Sequence, residues 1–144
     1  MNQKAHTIKK LFSRETSVST VIKATPEKIW QILVNVSNYK NWNSTIISIE
    51  GEIKAGGEIK IVPAINPNRT FKLKIKAFEP YTKMVSGDAM GNRTFLLEKV
   101  SDGTQFTMTE KISGPLFPLF AKMIPPFDDA FDSYARDLKV EAEK

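Results

Sequence analysis

Polar and apolar positions change period several times along this chain, and each change marks an element. From Thr16 the run SVSTVIKA alternates, so Val18, Thr20 and Ile22 share one face of a strand. Thr25-Pro26-Glu27 then carries a helix start: a capping hydroxyl, a proline in the first turn and an acid near the helix dipole. Ile29, Ile32, Leu33 and Val36 follow at helical spacing, with Trp30 beside them. Beyond Val36 the period is lost, and Tyr39 and Trp42 stand among asparagines and a lysine. That segment is too polar for ordinary core and too aromatic for an ordinary loop. Residues 1–14 show a weak helical pattern (Ile8, Leu11, Phe12) on a basic face, and read as a tail or a short flanking helix. Residues 15–144 then form a single domain.

Two short strands follow, Ile46–Gly51 and 57–63, and Pro63 and Pro67 bracket the next loop. In FKLKIKAF, Phe71, Leu73, Ile75 and Ala77 point one way and Lys72, Lys74 and Lys76 the other, which predicts one buried and one wet face. Segments 84–90 and 93–100 flank Gly91-Asn92, read as a tight turn. Ser-Asp-Gly between Val100 and Thr104 is the strongest hairpin signal in the chain. The last strand is 104–113, and Gly114-Pro115 ends it. Helix is expected over 116–124, a break at Pro125-Pro126, and a second helix over 127–140. There Phe127, Phe131, Tyr134 and Leu138 form one stripe.

Composition narrows the chemistry. No apolar run approaches the ~18 residues of a spanning helix, and the N-terminus lacks the apolar core of a secretory signal, so a cytoplasmic location fits. With no cysteine and one histidine, His6, there is no thiolate ligand, no Cys nucleophile and no His-rich metal site. No phosphate-binding glycine loop is present. Neither a metal nor a cofactor is expected. The net charge of +5 is spread over the chain, which reads as solvated faces rather than a nucleic-acid footprint.

The element order carries a family resemblance through particular residues. These are Ala24-Thr25-Pro26-Glu27-Lys28-Ile29-Trp30 at the strand-to-helix junction, Tyr39 with Trp42-Asn43, and Gly51 and Gly57. They continue with Phe78-Glu79-Pro80, Gly103-Thr104, and Glu110 with Ser113-Gly114 before the final helices. Over roughly 15–140 the chain resembles the START-like superfamily, and within it the polyketide cyclase/dehydrase and lipid-transport (SRPBCC) group. The resemblance implies an α+β helix-grip fold. A seven-stranded antiparallel sheet would curve around the long C-terminal helix, with two short helices between strands 1 and 2 closing one end. An apolar cavity would lie between sheet and helix, with Tyr39 and Trp42 at its mouth and Trp42 as either gate or plug. Pro125-Pro126 departs from the uninterrupted helix of the family.

Hairpin pairing sharpens the inward face. With Asp102-Gly103 as a two-residue loop, Phe95 faces Glu110 and Leu97 faces Met108. With Gly91-Asn92 as a second such loop, Asp88 faces Phe95 and Ser86 faces Leu97. Met84, Met90, Phe95, Phe106 and Met108 then share the inner face with Arg93, Asp88 and Glu110. Arg93 lies diagonal to both acids, so the three read either as a structural ion network or as a polar anchor for a ligand head group. Phe71, Leu73, Phe117, Phe120 and Met123 complete the candidate wall, with Phe127 and Phe131 from the last helix.

The expectation is a protein that binds a hydrophobic or amphipathic small molecule, such as a lipid, isoprenoid or polyketide-like compound. One alternative is a cyclase or dehydratase working in the same cavity. It would use Glu110 or Asp88 as acid/base and Arg93 to stabilise an enolate. A second alternative is an interaction module built on the lysine row and the basic N-terminus, reading nucleic acid or an anionic membrane.

Overall fold

The structure, a computed structural model describing residues 2–144, is an open antiparallel sheet with helices against one face. Its strands are β1 (Gln3–Lys10), β2 (Ser13–Ile22), β3 (Ile46–Gly51), β4 (Glu58–Pro63), β5 (Phe71–Glu79), β6 (Lys83–Gly87), β7 (Gly91–Val100) and β8 (Gly103–Ser113). Their order is β1-β2-β8-β7-β6-β5-β4-β3. Helices α1 (Pro26–Val34) and α2 (Tyr39–Trp42) fill the β2–β3 connection, and α3 (Phe117–Phe120) and α4 (Asp128–Ala142) follow β8. The Thr25 hydroxyl accepts from the Lys28 amide at 3.1 Å, and Ile29, Trp30 and Leu33 are buried, as the capping and spacing predicted.

The sheet has eight strands, not seven. Residues 3–10, expected as a tail or short helix, form β1 at the sheet edge. Apolar alternation does not build this strand, since Ile8 is half exposed. Its backbone ladder with β2 and polar bonds to the far end of the chain hold it. The Ala5 amide donates to the Asp132 carboxylate at 2.8 Å, and the Thr7 hydroxyl donates to Asp128. Exposed Lys4, Lys9 and Lys10 discourage this edge from pairing with another chain.

Both hairpins keep the expected faces but shift in register. Ser101-Asp102 turns the β7–β8 hairpin, so Arg93 pairs directly with Glu110, Phe95 with Met108 and Leu97 with Phe106. Gly103 begins β8 rather than completing the turn. A Cβ there would sit 2.2 Å from the Ile22 carbonyl oxygen, so close passage of β2 requires the glycine. In the β6–β7 hairpin the loop is 88–90, not Gly91-Asn92. The Asp88 carboxylate accepts from the amides of Met90 (2.9 Å) and Gly91 (3.1 Å) and fixes the turn itself. Met84 therefore pairs with Phe95, and Ser86 with Arg93. Both shifts are by an even number of residues, so no side chain changes face.

The C-terminal break falls where the prolines placed it. A single 3-10 turn (Ala121–Met123) follows α3, and α4 begins after Pro125-Pro126 with Asp128 and Asp129 in its first turn. The break leaves carbonyls without helical partners, and Arg14 of β2 takes them. This guanidinium, only 7% exposed, donates to the carbonyls of Ile124 (3.1 Å) and Pro125 (2.8 Å). α4 itself packs against β1, β2 and α1, with Phe131, Tyr134, Ala135 and Leu138 buried.

Candidate functional site

Because α4 lies toward the β1–β2 side, the inner faces of β4, β5 and β6 are left to wall a cavity of about 210 Å³. Its floor is aliphatic, built by Ile59, Leu73, Ile75 and Met84. Phe131 and Tyr134 of α4 face that floor, and Ile65, Met90 and Met123, all exposed, mark the mouth.

One ion pair sits in this wall. Arg93 Nε donates to Glu110 Oε1 at 2.7 Å, with the two side chains 27% and 19% exposed. Direct pairing across β7 and β8 sets that distance, and half-burial makes the charge-assisted bond stronger than an exposed one. The Arg93 guanidinium lies 4.9 Å from the centre of the Phe131 ring, and that of Arg14 lies 4.7 Å from Phe127. The two rings stack at 6.1 Å and 2°, so the arginines bracket an aromatic pair. Burial lowers the Arg14 pKa, opposed by the nearby Glu110 and Asp128 carboxylates. Among the described residues, the terminal nitrogens of Arg93 have no hydrogen-bond partner. A guanidinium has five N–H donors, so four make no hydrogen bond to the described residues.

The end of the cavity away from the mouth is aromatic. Trp42 meets Tyr134 edge-on at 5.6 Å and Tyr39 at 5.0 Å. Tyr39 donates to the Leu33 carbonyl. Burial pushes the Tyr134 hydroxyl up to about 12 and holds that of Tyr39 well above its ordinary value, so both stay neutral donors across physiological pH. Trp42 itself is buried outside the cavity wall, and its indole N–H has no partner among the described residues. Trp42→Phe is therefore expected to change the unfolding free energy by less than about 1 kcal/mol, because relief of the orphan donor offsets the lost ring volume. Trp42→Ala is expected to cost about 3–5 kcal/mol in the same urea titration.

The expected wall residues divide. Phe71, Leu73, Met84 and Phe95 line the cavity from the sheet, with Met90, Arg93, Met108 and Glu110. Met123, Phe127 and Phe131 line it from the C-terminal segments. Trp42, Phe106, Phe117 and Phe120 do not border it. Phe106 is packed beneath Tyr134, and Phe117 against Phe120. Asp88 lies at the rim, but its carboxylate is held by its own turn and forms no ion pair with Arg93. Sequence reasoning missed Arg14, whose position on the alternating face of β2 (Arg14, Thr16, Val18) was the available signal. It also missed Arg69, which lies at the cavity over Phe71 at 4.5 Å, while Tyr39, expected at the mouth, is a buried part of the wall.

A family model described as polyketide cyclase/dehydrase and lipid transport matches residues 13–143, which takes in β2 to α4 and leaves β1 outside. No curated protein matches the sequence. Among solved structures, a conserved protein of unknown function from Enterococcus faecalis is 16% identical with a TM-score of 0.70, covering 98% of this chain and 78% of its own. A protein of Rhodobacter sphaeroides is 20% identical with a TM-score of 0.71, at 96% and 97% coverage. The di-domain ARO/CYC StfQ of the steffimycin biosynthetic pathway is 8% identical with a TM-score of 0.68, at 92% of this chain and 52% of that one. At these identities the similarity speaks to fold.

Proposed function

We propose, from the premise that this chain belongs to the polyketide cyclase/dehydrase and lipid-transport family, that it binds a hydrophobic small molecule with one polar or anionic end. The observation that carries this reading is Arg93: Glu110 and Phe131 hold it in place, yet most of its donors are unspent on an aliphatic cavity. Burial on Ile59, Leu73, Ile75 and Met84 supplies affinity, and the guanidinium sets orientation. The cavity is smaller than the ~300–1,000 Å³ usual for ligand pockets. It therefore favours a short chain or compact ring system.

Octanoate and octanol, each displacing an apolar fluorophore, test the reading. Arg93→Gln is expected to weaken octanoate about tenfold or more, the loss of a hydrogen bond to a charged group, and to leave octanol unchanged. The Arg93→Gln/Glu110→Gln double variant, which buries no unpaired carboxylate, should behave alike. Equal losses for both probes, or no binding of either to the wild type, would sink the proposal.

A cyclase-type reaction is the second reading, favoured by a carboxylate beside a cation on an apolar wall. Glu110 would take a proton next to a ketone and Arg93 would stabilise the enolate oxygen. Turnover of a short β-polyketone lost in Glu110→Gln, with octanol binding retained, would support it. No turnover by the wild type would remove it.

A further inference from the structure

Neither residues 2–14 nor residues 111–127 contain an acidic residue, and the fold brings these two stretches together. Ser13 pairs with Ser113, the Gly114 amide donates to the Phe12 carbonyl at 3.1 Å, and Arg14 holds the carbonyls of Ile124 and Pro125. The end of the molecule so formed is apolar where it meets solvent. Leu11 is 70% exposed, Phe12 52%, Leu116 62%, Leu119 79% and Met123 79%.

The exposure is organised. Leu116, Leu119 and Met123 recur at i, i+3 and i+7 on the outer face of 116–124, while Phe117, Phe120 and Ile124 pack inward. The inner face accounts for the fold; on the outer face Leu116 and Leu119 cover nothing in this chain, and Met123 reaches only the cavity mouth. Beside it stand Lys9, Lys10, Lys111 and Lys122, all exposed and with no acid in either stretch to balance them. Among the described residues no helix is long and apolar enough to cross a membrane, so contact with a bilayer would be peripheral.

An apolar tip with a cationic rim matches an anionic lipid surface: the tip enters the acyl boundary and the lysines meet headgroups. A second copy fits poorly, because a two-fold axis would set lysine rims against each other. We propose that this end of the protein docks on an anionic bilayer through Leu11, Phe12, Leu116, Leu119 and Met123. Met123 also belongs to the cavity wall, so docking turns the mouth toward the lipid. The docking stands on surface residues and does not depend on what the cavity holds.

Vesicle flotation tests it, with phosphatidylglycerol–phosphatidylcholine vesicles against phosphatidylcholine alone. The wild type is expected to float with the mixed vesicles only, and to dissociate in high salt. Lys9→Gln/Lys10→Gln/Lys122→Gln should weaken partitioning about a hundredfold, roughly fivefold per lysine. Leu11→Ser/Leu119→Ser should weaken it at least tenfold, with an unchanged urea midpoint, since both residues are exposed and outside the cavity wall. Equal flotation with both vesicle types overturns the proposal, as does flotation that neither variant alters. So does a concentration-dependent dimer dissolved by Leu11→Ser/Leu119→Ser, which would assign the face to a second copy. Failure of octanoate to bind the wild type would remove the ligand reading and leave the flotation result standing.

Discussion

Tyr134→Ala is expected to lower the unfolding free energy by about 3–5 kcal/mol in a urea titration, the range for deleting a large buried aromatic. Tyr134 is 2% exposed and is the ring on which three elements meet: Trp42 of α2 at 5.6 Å, Phe95 of β7 at 6.1 Å and Phe106 of β8 at 6.3 Å. Removing it strips packing from both sheet and helix and opens a void the neighbours close only in part. Tyr134→Phe keeps the ring and loses only the hydroxyl, for about 1 kcal/mol. A Phe variant as costly as the Ala variant would mean that the hydroxyl, not the ring packing, joins sheet to helix. Because Tyr134 also lines the cavity, the Ala variant should shift binding from octanoate toward longer acids.

Arg14→Ala is the second large effect, expected at about 3 kcal/mol. Its two bonds to backbone carbonyls are hydrogen bonds from a charged donor, each worth roughly 1.5–3 kcal/mol. Its loss also leaves the Ile124 and Pro125 carbonyls without partners and removes a cation from beside Glu110 and Asp128. Arg14→Lys should recover less than half, since an ammonium cannot present the planar fork that spans two carbonyls. The distinguishing readout is local. Amide exchange over 117–123 should rise well beyond what the global destabilisation explains, because that short segment has no long helix to hold it. Exchange that rises evenly across α4 as well would show that Arg14 supports the whole domain rather than the break.

These two residues illustrate what the sequence disclosed. Tyr134 was legible because its stripe with Phe131 and Leu138 has helical period, and periodicity reports burial directly. Thr25-Pro26 and Pro125-Pro126 were legible for the same local reason, since caps and prolines act on their own backbone. The inward faces of β6, β7 and β8 survived even though both turns were misplaced, because an even register shift preserves parity. The bonds of Arg14 and the anchoring of β1 were not legible, since both are made to partners more than a hundred residues away. Asp88 failed differently: a carboxylate can satisfy itself on its own turn, and spacing alone does not separate that from reaching Arg93. Glu110 and Arg93 came out as neighbours because both the pleat and the charge balance required it.

The hold of Asp128 and Asp132 on Thr7 and Ala5 has a consequence for how the chain reaches its fold. Residues 5–7 emerge from the ribosome more than a hundred residues before their partners at 128–132. The edge strand must wait, paired only with β2, while the rest of the sheet is made. Such late closure of a long loop slows folding. Through that interval the lysines of β1 guard the open edge of a half-built sheet.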